Sequence, residues 1–327
     1  ILVHNSGKCF GPKTKIMMVD ETFKRADEIQ VGDVIMGDDC TPRTVLRTMT
    51  GTEKFFGVIP RYGKPFLCTA DHILPCKKPD GSIEHITVRD YKKLNRWDRR
   101  AYKMMKAPIE RPDIPVPIDP YYFGLWVSAY VGDEVGVRVR DKRIIREVRS
   151  LGSVYGVNFI ETLHQIKKPL TIMTPVALAE GGRNYIEETI RQIKRLKFHN
   201  GIAKIIPNIF IKNSITVRTR LLAGILDSVG EKRELKGDKK MHCTKRIITI
   251  VRNRRYANQI VDIARSLGFT ATMAKHSKGM QPSQSDPTTM VPKYAYQINI
   301  HGDFRKLCLL NSELHYEDSE YQDMEGF

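Results

Sequence analysis

No stretch of the 327 residues approaches the roughly 18 consecutive apolar positions that a membrane-crossing helix needs, and the opening lacks the basic-then-apolar layout of a secretion signal. The sequence is therefore expected to be neither a membrane protein nor a secreted one. Cysteine is sparse. Cys9, Cys40, Cys68, Cys76, Cys243 and Cys308 are scattered too widely for a disulfide scaffold, which points to reduced thiols inside a cell, in nucleus or cytoplasm. Gly7-Lys8 has no glycine-rich loop around it, so a phosphate cradle is excluded there. Cys68, His72 and Cys76 are spaced like ligands but lack a fourth nearby, which argues against zinc. A hydrophobic fraction of 41% with 28% charged residues excludes disorder as the main state. At about 100–200 residues per domain, the length implies two domains.

Acidic charge is scarce in the middle of the chain, and basic charge is absent from its end. Residues 1–118 hold 21 Lys/Arg against 15 Asp/Glu, residues 119–310 hold 33 against 16, and residues 311–327 have six acids and no Lys or Arg. A positive field over one domain attracts a polyanion and releases its counterions, which makes nucleic acid the leading partner.

Between residues 14 and 78, short β-forming runs alternate with turn signals: 14–19, 33–36, 44–46, 55–59 and 66–68. This predicts an all-β first domain. Five prolines between Ala107 and Pro120 break the pattern, which puts a boundary at about residue 118. Beyond it come an apolar stretch of helical length (121–129), an alternating strand (135–139) and an amphipathic helix (141–155). The same order returns about one hundred residues later at 219–228, 246–251 and 256–267. Residues 275–290, rich in Ser, Gln, Pro and Thr, are expected to form an exposed loop between strands.

Two groups of residues carry chemistry. The first is His4-Asn5-Ser6, then Cys9, then Thr69-x-x-His72 about sixty residues on. Together they resemble the splicing blocks of inteins, of the Hint fold shared with hedgehog autoprocessing domains. The stretch Thr14 to Pro42 is similar to the vacuolar ATPase inteins of yeast. The resemblance implies that the Cys9 sulfur attacks the preceding carbonyl, turning an amide into a thioester, while Thr69 and His72 bind the scissile amide. It further implies that Ser6 is the downstream nucleophile, that the Asn5 side chain cyclises, and that His4 polarises that bond. In an intein the cysteine comes first and His-Asn last. Here His4-Asn5 precedes Cys9, as a circular permutation or pieces joined out of order would produce, and the acidic end, Glu317 to Phe327, is similar to the family's late strand.

The second group lies in the basic middle. Leu222 to Gly230 resembles the signature helix of LAGLIDADG homing endonucleases, and Phe123 to Tyr130 its first copy. The small residues Ala223 and Gly224, opposite Gly124, would let two helices pack closely. The resemblance implies a pseudo-twofold pair of αββαβ-type repeats, in a monomer, with a Mg²⁺-binding acid at each helix end. The matching positions are Ala129 and Val229, neither of which can bind a metal; Asp133 and Asp227 are off-register substitutes. Lys204 matches a family lysine thought to assist catalysis.

The sequence thus predicts an α+β protein. An all-β Hint splicing domain (1–118 with a return strand at 311–327) would hold an inserted LAGLIDADG domain (119–310). Autocatalytic splicing or cleavage needs no cofactor. The nuclease is expected to be inactive and not to hold Mg²⁺ productively, with Arg138, Arg140, Lys245, Arg246 and Arg252 meeting DNA phosphates or bases. The partners are double-stranded DNA and host protein sequence, with no membrane. A domesticated DNA-binding protein without catalysis is the alternative.

Overall fold

A computed structural model describes residues 8–60, 65–129, 135–164, 170–197, 205–234, 245–282 and 290–314. These fall into two compact units that meet in sequence at Ile109/Glu110.

The first unit is a set of small antiparallel sheets. Strands β1 (Lys15–Met17) and β2 (Phe23–Arg25) pair, as do β3 (Val34–Met36) with β4 (Pro42–Thr44) and β5 (Phe55–Val58) with β6 (Phe66–Thr69). A fourth group orders β8 (Ile83–Thr87), β7 (Ile73–Lys77) and β9 (Lys103–Met104), with the short helices α1 (Val88–Lys93) and α2 (Arg96–Ala101) between β8 and β9 in sequence. Thr87 and Asn95 cap those helices by accepting from backbone N–H groups of the first turn. The core is modest: Cys68, Leu74, Cys76, Ile86 and Val88 are buried, with Phe10, Phe56, Phe66 and Tyr91 packed around them. Each run expected to be a strand coincides with one of these strands or overlaps it.

The second unit holds the large core and two similar halves. In the first half, α3 (Pro120–Ala129) leads to β10 (Val137–Val139), α4 (Lys142–Tyr155), β11 (Val157–His164), β12 (Leu170–Ala177) and α5 (Tyr185–Lys197). After the short α6 (Asn208–Ile211), the second half runs through α7 (Ile215–Val229), β13 (Glu231–Glu234), β14 (Lys245–Val251), α8 (Arg254–Ser266), β15 (Thr270–Pro282) and β16 (Met290–His301). One sheet is ordered β10-β12-β11 and the other β13-β14-β16-β15, so the last three strands of each half are arranged alike. The caps repeat as well. Asp141 caps α4 and Asn253 caps α8, and left-handed Gly156 and Gly268 follow those helices, each pair 112 positions apart.

Three expectations are revised by packing. The proline-rich stretch from residue 110 belongs to the second unit rather than ending the first. Ile118 is fully buried, the Arg111 guanidinium donates to the Ile211 carbonyl at 2.9 Å, and the fully buried Asn213 side chain bonds both the N–H and the C=O of Ile114. Prolines leave few backbone donors, and Asn213 satisfies one that remains. Residues 311–314 also fold with the second unit, with Leu314 in its core; the rest of the expected return strand lies outside the described residues. Finally, much of the expected loop 275–290 is strand, because pairing of β15 with β16 overrides a polar composition.

Candidate functional site

In the first unit, the chain leaving Cys9 lies against β6. Phe10 bridges to Cys68, and the Gly11 N–H donates to the Leu67 carbonyl at 2.7 Å. This register places Cys9 opposite Thr69. The Cys9 N–H donates to Thr69 Oγ1 at 3.0 Å, and the Thr69 N–H donates back to the Cys9 carbonyl at 2.9 Å. His72 is on the turn that ends β6, with its N–H on the Thr69 carbonyl and its own carbonyl accepting from Val88. Its ring lies beside the Lys8 backbone carbonyl, which favours the protonated imidazole, and packs against the Phe10 ring at 4.3 Å between centroids. The Lys8–Cys9 peptide therefore has its N–H on the Thr69 hydroxyl and its C=O near the His72 imidazole. Burial pushes the His72 ring below its ordinary pKa, more than the Lys8 carbonyl raises it. The His72 Nδ1 is buried without a partner among the described residues. Burial also pushes the neighbouring Cys68 thiol up to about 11, so Cys68 packs as a neutral core side chain.

In the second unit, α3 and α7 cross in backbone contact. A Cβ at Gly124 would stand 2.5 Å from the Leu221 carbonyl oxygen, and one at Gly224 would stand 2.2 Å from that of Tyr121. Only glycine permits this approach from either side. Near the α7 end, Asp227 is 4% exposed and accepts three bonds: Tyr121 Oη at 2.8 Å, Leu310 N–H at 2.8 Å and Asn311 N–H at 3.1 Å. Across the unit, the Asp141 carboxylate takes the N–H and hydroxyl of Ser312 at 2.7 and 2.6 Å. Burial raises the Asp141 pKa, but those bonds and the Arg143 N–H outweigh it and hold the group below the ordinary carboxylate range.

Residues 9–110 match the family of Hint domains associated with homing endonucleases, and residues 205–322 match the homing endonuclease family. The chain is a Hint domain joined to a homing endonuclease domain. Among solved structures, I-DmoI bound to DNA and manganese is similar at 12% identity, over 62% of this chain and 98% of that one, with a TM-score of 0.32. Mesophilic variants of I-DmoI give 13%, 61%, 98% and 0.33. The LAGLIDADG homing endonuclease I-GzeII in complex with its DNA target gives 11%, 64%, 88% and 0.26. No curated protein matches. The likeness of Thr14 to Pro42 to yeast vacuolar ATPase inteins stands on the sequence alone.

Of the residues singled out in the Hint domain, Cys9, Thr69 and His72 are brought together, while His4, Asn5 and Ser6 lie outside the described residues. In the endonuclease domain, Asp133 and Lys204 also lie outside them. Ala129 and Val229 end the two signature helices. Asp227, the remaining substitute acid, is a structural carboxylate that fastens the exit segment 310–311 and Tyr121. The residues at these helix ends do not fit a divalent ion, because Ala and Val have no donor atom and the Asp227 oxygens are committed to N–H and O–H groups. Arg138 projects from β10 opposite the buried Val137 and Val139. Arg140 and Arg252 are exposed at equivalent places, each directly before a helix cap. Arg246 is half-buried on β14, and Lys245 opens that strand opposite Glu234.

Sequence reasoning missed Asp141 and the fully buried Arg218. The Arg218 guanidinium donates to the carbonyl and hydroxyl of Ser266 and to the Asn213 carbonyl, tying α7 to the C-terminal end of α8. An arginine in an otherwise apolar helix face was the available signal for it.

Proposed function

We propose that the Hint domain is an autoproteolytic centre that cleaves its own backbone at Lys8–Cys9, and that the endonuclease domain binds double-stranded DNA without cutting it. The observation that carries the first part is the Lys8–Cys9 peptide, with its N–H bonded to the Thr69 hydroxyl and the His72 ring close to its carbonyl. Cys9 Sγ attacks the Lys8 carbonyl carbon. A C–S bond forms, the C–N bond breaks, and the thiol proton ends on the Cys9 amine, leaving a thioester. His72, donating to the carbonyl oxygen, stabilises the charge that develops there, and Thr69 fixes the amide plane for the attack. An external thiol then takes the acyl group, residues 1–8, and frees the Cys9 thiol. Only Gly7 and Lys8 separate Ser6 from Cys9, so a ring closed between them is strained, and single cleavages before Cys9 or after Asn5 are the expected products. An intracellular setting, nuclear or cytoplasmic, keeps Cys9 reduced and reactive.

The second part is supported by the positive charge of residues 119–310 and by the exposed Arg140 and Arg252 at equivalent places in the two halves. Two halves joined through Gly124 and Gly224 suit a monomer with internal pseudo-twofold symmetry laid across a duplex. The Mg²⁺ chemistry of the family finds no ligand set at Ala129 and Val229, so no hydrolytic step runs through this domain.

The intact mass of the fresh full-length protein, with and without a small thiol, tests the cleavage. Wild type should lose the mass of residues 1–8 on thiol addition, Cys9→Ala should not, and His72→Ala should do so about 100-fold more slowly, as expected for loss of one oxyanion donor. An unchanged wild-type mass would make the Hint domain a scaffold and favour the second reading, a domesticated DNA-binding protein.

A further inference from the structure

The two halves of the endonuclease domain present β-ribbons of different reach. In the first half, β11 and β12 are paired as far as His164↔Leu170. The equivalent point in the second half, 112 positions on, is His276, paired with Ala295. Beyond these pairs the chain lengths differ. Five residues (165–169) remain to close the first ribbon, whereas eighteen (277–294) remain in the second. Five residues can carry a ribbon at most about 7 Å further at 3.4 Å per residue. The second ribbon goes on to Pro282↔Met290, six residues along β15 and five along β16 with a bulge between Ser277 and Met280, about 17 Å at the same rise.

The two ribbons also differ in charge. Strands β15 and β16 carry Lys275, Lys278 and Lys293 and no acid, whereas β11 and β12 carry Glu161 and no Lys or Arg. Lys275 and Lys278 are exposed, and Lys275 Nζ stands 3.5 Å over the Tyr294 ring, which braces the two strands against each other. A bulge between Ser277 and Met280 turns the outer part of the ribbon. A two-stranded ribbon of this kind fits a major groove, and its lysines have the charge to neutralise phosphates.

We infer that this domain reads a lopsided DNA site, in which the arm engaged by β15 and β16 is longer than the other and supplies most of the salt-dependent affinity. The inference rests on the DNA-binding reading above. At about 3.4 Å per base pair, the difference of roughly 10 Å in reach corresponds to about three base pairs.

The test uses the full-length protein and a pool of random-sequence duplexes. Sequences enriched by binding should show one arm about three base pairs longer than the other. A variant with Lys275, Lys278 and Lys293 all changed to Ala should lose positions in the long arm alone. The dependence of log affinity on log salt should fall by about two to three, near 0.9 per lost phosphate contact. The corresponding Arg triple variant, which keeps the charges, should retain both properties. Enriched arms of equal length, or an Ala triple variant with an unchanged salt slope, would overturn the inference while leaving DNA binding intact. Failure of the wild type to bind the pool at low salt would overturn the DNA-binding reading, and the inference with it.

Discussion

Tyr121 donates its hydroxyl to the Asp227 carboxylate at 2.8 Å, so the two signature helices are joined by a buried hydrogen bond as well as by backbone contact. Burial, and then the Asp227 charge, push the Tyr121 pKa far up, which keeps the phenol a donor. The same carboxylate takes the N–H groups of Leu310 and Asn311, so one side chain holds α3, α7 and the exit segment together.

Asp227→Ala should therefore act on stability. It strands a buried phenol and two backbone donors, and the cost is expected at about 3 kcal/mol, read as a lowered urea midpoint of the full-length protein. A variant that unfolds at the wild-type midpoint would show that the carboxylate is not structural.

Gly224→Ala should be among the more damaging single changes in the domain, although it adds only one methyl group. Its Cβ would lie 2.2 Å from a backbone oxygen, so the helices must part, at an expected cost of about 2–3 kcal/mol. Gly51→Ala, where an added Cβ meets nothing within 4 Å, should stay within about 0.5 kcal/mol of wild type. Equal thermal midpoints for the two variants would contradict the close crossing.

The pH dependence of the Hint domain should carry the signature of a buried, neutral histidine. The folded His72 ring binds its proton less readily than the unfolded ring, whose ordinary value is 6.5. Its contribution to stability is complete above that value and is lost as pH falls through the lowered folded value. Thermal melts at pH 7.5 and 5 should show a larger drop for wild type than for His72→Gln. Identical drops would mean that the ring is not held in its buried, neutral form.

Much of this architecture was legible in local pattern. Strand runs such as 33–36 and 55–59, the helical spacing of Ile144, Val148 and Leu151, and the return of that order in the second half all follow from periods of two and 3.6 residues. Cys9, Thr69 and His72 could be picked out because their order and spacing resemble the splicing blocks of inteins. By contrast, β11, β12 and the outer part of β15 carry weak patterns. Their state is fixed by a paired partner strand, which a local reading cannot supply.

The sequence by itself determined the two kinds of domain, the small residues at the helix crossing, the loss of donor atoms at Ala129 and Val229, and the charge of the middle region. These are properties of residue type and spacing, and no partner is needed to define them. Only the tertiary structure decided that the prolines after residue 109 pack with the second unit, that Asp227 is spent on Tyr121, Leu310 and Asn311, and that the Thr69 hydroxyl takes the N–H of Cys9. Each of these is a hydrogen bond or burial between residues far apart in the chain. Its energy depends on which donor, acceptor or surface the fold brings within about 3 Å, and composition and periodicity do not encode that.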